Sequence, residues 1–277
     1  MNWDKARNYT IFFLIVFNII IFTFGFQARI SKRMTNDQRQ DIVNILRQNG
    51  ITVKCELPRS HKTVGQLMLR RLDFDYLKLQ KIFLDDQSNV KRIDAEDKIT
   101  ISNGAETLTV EGNHIEYKNT AVHAADKAQA QKAAKTLVKD IHEYFGNFYM
   151  YSSDENGEQY NFRFTEKVSG LKVYNNIISV SVYKTGGLRL GLSYLQTGEH
   201  YGGKMTAIPC DEALFSAMPY ILEYEGENKE LNITNVELCY YLHRIPADEG
   251  IAIPCYRITV NWDKIYYINA YTGDLVN

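Results

Sequence analysis

The uncharged run from Asn8 to Ala28 is the feature that most constrains how this chain can fold. Its 21 residues are rich in Ile and Phe. A helix of that length spans about 31 Å at about 1.5 Å per residue, which matches a hydrocarbon core. We therefore expect an uncleaved transmembrane anchor at 8–28, preceded by a short cytoplasmic tail at 1–7. A cleaved signal peptide is the alternative, although its apolar stretch would usually be shorter and Thr23-Phe24-Gly25 is a weak cleavage site.

The orientation of this anchor follows from the length of chain on either side of it. Two basic residues precede the run and three follow it closely, which alone slightly favours an inward C-terminal part. The remaining 249 residues (277 minus 28) contain no second run of this kind, and long domains translocate largely regardless of charge. We expect a single-pass protein of the cell membrane, with a cytoplasmic N-terminus and an extracellular C-terminal domain.

Overall charge and apolar content limit what the external part can be. The chain has 32 Lys and Arg against 33 Asp and Glu, and 45% of its residues are hydrophobic. A nucleic-acid-binding protein normally carries a basic excess, so we expect no nucleic-acid partner. The apolar content is sufficient for a packed core.

Beyond the anchor, helical stretches alternate with groups of short strands, which is typical of an α+β fold. Thr35-Asn36-Asp37-Gln38 is a capping-box pattern, and Asn103-Gly104 and Gly112-Asn113 indicate hairpin turns. We expect two modules of helices packed on antiparallel sheets, one over 29–121 and a second over 122–277. The expected helices lie near 35–49, 74–84, 124–145 and from 209 onward, and the expected strands at 51–56, 98–102, 106–111, 114–117, 160–166, 176–184, 188–195, 236–244, 253–261 and 264–270.

The four cysteines leave two interpretations open. Cys55, Cys210, Cys239 and Cys255 show no metal-ligand spacing. If strands 236–244 and 253–261 form a hairpin centred near Ala247, Cys239 lies directly opposite Cys255, at about 4.5–5.5 Å, which is close to disulfide range. The chain therefore has either four buried reduced thiols or a disulfide between these two residues.

Motifs for enzymatic chemistry are absent from the sequence. There is no G-x-S-x-G, no H-E-x-x-H and no phosphate-binding G-x-x-x-x-G-K-[ST]. The six His residues are scattered along the chain, so we expect no metal site, no cofactor and no catalytic residue.

Tyrosines recur at alternate positions in the last strands. Tyr266, Tyr267 and Tyr271 close the chain, and Tyr240, Tyr241 and Tyr256 precede them. A half-buried sheet accommodates Tyr with its hydroxyl at the rim, which favours packing. Tyr is also enriched at protein interfaces, which favours a partner surface.

Three stretches resemble a known family. They are Met1-Asn2-Trp3-Asp4-Lys5-Ala6-Arg7, which runs into an Ile/Phe-rich span with Asn18, then Gly170-Leu171-Lys172-Val173-Tyr174-Asn175-Asn176, and the closing Tyr266-Tyr267-Ile268-Asn269-Ala270-Tyr271-Thr272-Gly273-Asp274. Together they are similar to the YycI (WalI) family. The last stretch also resembles the final strand and turn of PepSY-like domains.

The resemblance implies a non-enzymatic regulator anchored in the membrane of a Gram-positive bacterium. Such proteins act with a sister protein, YycH, on the sensor histidine kinase of the WalK/WalR two-component system, which controls cell-wall metabolism. Contacts between membrane helices carry much of that control, and a homo- or hetero-dimer is compatible with it. The implied membrane contact residues are Trp3, Phe12, Ile15, Asn18 and Phe22, and the external candidates are Tyr174, Tyr267 and Tyr271.

Asn18 and the external part each keep a second interpretation. Asn18 is either a tolerated polar residue or a donor to another membrane helix, where such a hydrogen bond contributes about 1 kcal/mol. The external part could instead be a PepSY-like binding module for a peptide, a wall fragment or a protease, which predicts a concave surface with Tyr in its lining.

Overall fold

The computed structural model describes residue 14 and residues 35–59, 62–85, 87–224, 230–245 and 248–276. The predicted tail and all but one residue of the predicted anchor therefore lie outside the described residues. In the described part of the chain, no helix is both long and apolar enough to cross a membrane. The anchor at 8–28 stays a prediction.

The described residues form five helices and fourteen strands, numbered here in chain order. The helices are α1 (Asn36–Gln48), α2 (Tyr76–Phe83), α3 (Lys127–Asp140), α4 (His142–Phe145) and α5 (Cys210–Tyr224). The strands are β1 (Ile51–Val53), β2 (Thr63–Arg70), β3 (Lys91–Ala95), β4 (Lys98–Ser102), β5 (Glu106–Glu111), β6 (His114–Asn119), β7 (Phe148–Glu155), β8 (Gln159–Val168), β9 (Leu171–Tyr183), β10 (Leu188–Ser193), β11 (Gln196–Thr206), β12 (Leu231–Tyr241), β13 (Glu249–Val260) and β14 (Lys264–Asn269).

By compactness, the chain divides into two units that interleave along the sequence. Unit 1 takes the described residues up to Val64, those from Met205 to Glu237 and those from Tyr256 to Val276. Unit 2 takes Gly65–Lys204 and the described residues of Leu238–Cys255. The strands β12 and β13 contribute to both. This division by compactness differs from the two consecutive modules expected at 29–121 and 122–277. Those modules stay a prediction.

In unit 1, two helices pack on each other and on short strands. The helix α1 contacts β1 and α5, and α5 contacts β14. The strand β1 pairs in parallel with β12, from Ile51 opposite Leu231 to Val53 opposite Ile233. The apolar side chains buried in this unit include Ile42, Leu46, Ile51, Leu214, Ile221 and Ile233.

In unit 2, eight strands form a continuous antiparallel run in the order β7-β8-β9-β10-β6-β5-β4-β3. Successive side chains of a strand point to opposite faces. On one face, apolar residues of β8, β9 and β10 are buried with residues of α2 and α3, while the other face is polar and exposed to solvent. The buried set includes Leu79, Phe83, Ala130, Ala134, Phe162, Ile178, Val180, Leu190 and Leu192.

The α+β class is therefore confirmed, with three differences from the expectation. The strands β2, β3, β7 and β11 were not predicted. The helix expected at 124–145 is divided into α3 and α4, because the backbone leaves the helix at Ile141, whose N–H still bonds to Leu137 O. The sheets are also not wholly antiparallel, since β12 pairs in parallel with β1 and with β9. Alternation within a strand indicates which residues face a core, and it carries no information on the direction of a neighbour.

Candidate binding groove

A groove of about 570 Å³ crosses the polar face of the unit 2 sheet. Its floor consists of small side chains on two adjacent central strands, Ser179 and Ser181 of β9 and Gly191 and Ser193 of β10. Gly191 lies directly opposite Ser179 in the antiparallel register. Larger side chains surround these small residues on the same face of the sheet, so the surface of the sheet forms a depression at this point.

The floor arises from the two-residue period of the strands. Every second residue of β9 in this stretch, such as Val180, is fully buried on the helical side, so Ser179 must face solvent. A Cβ added to Gly191 would lie 3.8 Å from His114 Cε1, an ordinary contact distance, so the His114 ring borders the floor at this glycine.

Larger side chains surround this floor. Tyr174 and Ile245 line the groove, as do Gln159, Tyr183, His114 and Arg189. From Ile177 to Tyr183 the strand spans about 20 Å at about 3.3 Å per residue. The Ile245 side chain is 49% exposed, whereas Tyr174 is only 6% exposed because its ring packs edge-on against Tyr151 at 5.7 Å.

The cation in the groove lining shares one carboxylate with a second cation. Arg189 Nε lies 3.1 Å from Glu116 Oε1, and Lys118 Nζ lies 2.7 Å from the same oxygen. The hydrogen bond from Lys118, helped by the charges of Lys118 and Arg189, holds the pKa of the Glu116 carboxyl below its usual range. The side chains beside the floor are therefore polar, and both cations are held in ion pairs.

A bulge in β9 shapes one end of the groove. In the ladder with β8, Thr165 pairs with Ile177 but Glu166 already pairs with Val173. The three residues between those partners, 174–176, therefore have no opposite residues in that ladder. This bulge belongs to the stretch 170–176 that carries the family resemblance.

At the bulge, the side-chain amides of two asparagines make hydrogen bonds where the backbone hydrogen bonds between β8 and β9 are interrupted. Asn175 donates from Nδ2 to Leu242 O and accepts from Leu242 N, each at 2.8 Å. Asn176 donates from Nδ2 to Leu195 O at 2.7 Å and accepts from Leu195 N at 2.8 Å. Each amide thus satisfies both backbone groups of one distant residue, which fixes the end of the groove on both sides.

Asn176 also holds a buried carboxylate. Its Nδ2 donates to Glu166 Oε2 at 2.6 Å, and Thr197 Oγ1 donates to Glu166 Oε1 at 2.9 Å. Burial raises the pKa of the Glu166 carboxyl, although these two hydrogen bonds oppose the shift. The Glu166 carboxyl is therefore held at the bulge by two hydrogen bonds, and burial in the folded chain favours its protonated form.

The predicted site residues are distributed over three places. Trp3, Phe12, Ile15, Asn18 and Phe22 lie outside the described residues. Tyr174 lines the groove in unit 2. Tyr267 and Tyr271 belong to unit 1, where the Tyr271 hydroxyl donates to Val64 O at 2.7 Å and burial raises its pKa. The role of each in partner binding stays a prediction.

Cys239 and Cys255 lie next to each other, as the predicted hairpin requires. All four are present as thiols. Cys239 Sγ donates a hydrogen bond to Cys255 O at 3.4 Å, so the two residues are in contact across β12 and β13. A disulfide between them stays a prediction.

Sequence reasoning missed the floor of the groove. The strands containing it were predicted, but Ser179, Ser181, Gly191 and Ser193 were not singled out. The sequence feature that marks them is a small residue at every second position of each strand, alternating with Ile, Val or Leu. As for metals, no group of His, Cys, Asp and Glu in the described stretches is arranged to hold an ion.

Comparison with solved structures finds similarity to three bacterial proteins, of which the first has a TM-score above 0.5. An uncharacterized protein from Eubacterium rectale is 10% identical, with 81% of this chain and 89% of that chain covered and a TM-score of 0.55. The C-terminal domain of Bacillus megaterium YpeB is 14% identical over 75% of this chain and 97% of that one, with a TM-score of 0.43. YycH from Bacillus subtilis is 11% identical over 88% and 62%, with a TM-score of 0.46.

Comparison by sequence gives the family. A search of the curated proteins found no match. The family model described as YycI protein, in contrast, matches residues 30–271, which is most of the chain. The chain therefore belongs to the YycI family, as the three stretches together predicted.

Proposed function

We propose that this chain is a non-enzymatic regulator of a WalK-type sensor histidine kinase that controls cell-wall metabolism. The observation that carries the proposal is the family match over residues 30–271. The sequence supports it with the absence of nucleophile, metal-hydrolase and phosphate-binding motifs. The chain acts with a YycH-like partner, through membrane-helix and external contacts.

The proposed arrangement places the regulator in the cell membrane. The uncharged run at 8–28 is the single anchor, the tail at 1–7 is cytoplasmic and the rest is extracellular. Trp3 lies at the cytoplasmic interface, and Phe12, Ile15, Asn18 and Phe22 form the contact side of the helix. A polar side chain inside a membrane helix gains from an interhelical hydrogen bond, which makes Asn18 the polar contributor.

The experiment that tests this proposal exchanges the anchor. Residues 8–28 are replaced by an unrelated apolar helix of the same length, and WalR-dependent transcription is measured in cells. We expect the output to change as it does on deletion of the gene. Unchanged output would contradict a mechanism based on helix contacts.

A matched pair of variants makes the test sharper. Asn18→Leu removes the polar group from the middle of the run, whereas Thr23→Leu removes one nearer its end. We expect only Asn18→Leu to alter the output. Membrane fractionation of both variants checks that the amount of anchored protein is equal.

The groove in unit 2 favours a second candidate function, a PepSY-like extracytoplasmic binding module. Such a module needs a concave surface with a few polar groups and an aromatic lining, which the groove provides. It predicts full activity with a foreign anchor and loss of activity when Ser179 is replaced by a larger residue. The two candidates thus differ in which part of the chain must be native.

A further inference from the structure

We propose that the groove of unit 2 binds a neutral saccharide strand. The inference rests on the second candidate function, the binding module, and is independent of whether the chain regulates a kinase. It concerns the floor at Ser179, Ser181, Gly191 and Ser193 and the surrounding side chains of Tyr183, Arg189 and Ile245.

The backbone of the floor is not available to a ligand. The strand β9 pairs with β8 on one side and β10 on the other from Ile177 to Tyr183, and β10 pairs with β9 and β6 along its length. An extended peptide that binds a sheet does so at a free edge, where unpaired N–H and C=O groups await it. This groove offers only side chains, which disfavours a peptide.

The ion pairs around the floor disfavour an anionic ligand. Arg189 Nε lies 3.1 Å and Lys118 Nζ lies 2.7 Å from Glu116 Oε1, so both cations share this one carboxylate. Farther out, Lys184 pairs with Glu155 at 2.7 Å. An anionic polymer would have to compete with these carboxylates for the cations.

The remaining chemistry fits a carbohydrate. Serine hydroxyls both donate and accept hydrogen bonds, as sugar hydroxyls do. Tyr183, which lines the groove, and the exposed Ile245 side chain provide apolar surface for the C–H face of a pyranose ring, whose burial is favourable.

The test measures binding of chitohexaose, a neutral β-1,4-linked saccharide, to the purified full chain in detergent micelles by calorimetry. We expect saturable binding with a Kd below about 1 mM. The Ser179→Gln variant fills the floor with a longer polar side chain at an exposed position, and we expect at least about tenfold weaker binding. Circular dichroism confirms that the variant is folded.

A matched control lies on the same face of the same sheet. Thr109 of β5 is opposite Glu116 and outside the groove lining, so Thr109→Gln should bind chitohexaose as the unmodified chain does. Binding that is absent, or equally strong in Ser179→Gln, would overturn the inference. Binding of a neutral Gly-Ser hexapeptide in place of the saccharide would overturn it as well and assign the groove to peptides. Neither result bears on the anchor exchange, so the two proposals fail separately.

Discussion

Among single residues, Asn176 has the largest consequence for the shape of the groove. Its side chain is fully buried and satisfies both backbone groups of Leu195 as well as Glu166. We predict that Asn176→Leu, which keeps the branching and the number of heavy atoms of the side chain, lowers the free energy of unfolding by about 2–4 kcal/mol, because it leaves buried polar groups without partners. Urea denaturation of the full chain measures this.

The control for this substitution is an asparagine without buried contacts. Asn44 is exposed on α1, and Asn44→Leu should change the free energy of unfolding by less than about 0.5 kcal/mol. Equal effects of the two substitutions would show that the bulge does not depend on the amide of Asn176.

Two carboxylates in unit 2 should give opposite pH dependences of stability. Burial raises the pKa of Glu166, so the folded state binds a proton more readily than the unfolded state, and stability falls as pH rises through the raised pKa. The Lys118 hydrogen bond lowers the pKa of Glu116, so stability rises with pH up to the unfolded value.

We therefore predict that Glu166→Gln and Glu116→Gln change the pH profile of unfolding in opposite directions. Between about pH 3 and about pH 7, the stability of the native chain relative to Glu166→Gln should decrease with rising pH. Relative to Glu116→Gln it should increase. Urea denaturation across that range measures both, and slopes of the same sign would contradict the assignment.

Thiol reactivity provides a residue-level test of the cysteine interpretations. Burial raises the pKa values of Cys210 and Cys255 to about 12, and thiolates are the reactive form. We predict that in the native chain only Cys55, the one partly exposed cysteine, reacts slowly with a thiol reagent. Denaturation without reductant should then expose four reactive thiols, whereas two would support the disulfide between Cys239 and Cys255.

At the level of elements, the start of α1 is the feature whose local chemistry is most complete. Gln38 N donates to Thr35 Oγ1 at 3.2 Å and Thr35 N donates to Gln38 Oε1 at 2.9 Å, as the capping-box pattern predicted. We predict that Thr35→Ala lowers the free energy of unfolding by about 1 kcal/mol and that Thr35→Ser retains most of the cap. Thermal denaturation followed by circular dichroism compares the two, and equal losses would show that the hydroxyl is not used.

Most elements with a clear apolar period were predictable. The strands β4, β5, β6 and β10 and the helices α1 and α2 lie close to their expected positions. The exception is β2, which was missed although Leu67 and Leu69 are buried at alternate positions. The strands β3, β7 and β11 were missed because none of their side chains is buried, so they do not alternate between core-facing and solvent-facing residues.

The candidate site was harder to predict than the elements that carry it. The strand that contains Ser179 was predicted, but nothing local indicates that Gly191 lies beside Ser179. That neighbourhood depends on the antiparallel register of β9 with β10. The bulge is likewise not local, because Asn175 bonds to Leu242, which is 67 residues away in sequence.

On the scale of the whole chain, the proposed anchor and the proposed saccharide groove together give a regulator that would bind outside the membrane and act within it. The two parts would then work in series. Components in series are not additive, because removing either one interrupts the same signal. This distinguishes the arrangement from two independent activities on one chain.

We therefore predict a non-additive result when the exchange of residues 8–28 is combined with Ser179→Gln. Each change alone should weaken the response of WalR-dependent transcription to added chitohexaose, and the double variant should respond no less than the weaker of the two single variants. Thr109→Gln should respond as the native chain does, because its side chain lies outside the groove lining. If the groove variant lost its response while the anchor exchange kept it, the external unit would signal without the native helix. Independent, additive losses would mean that groove and anchor serve separate partners.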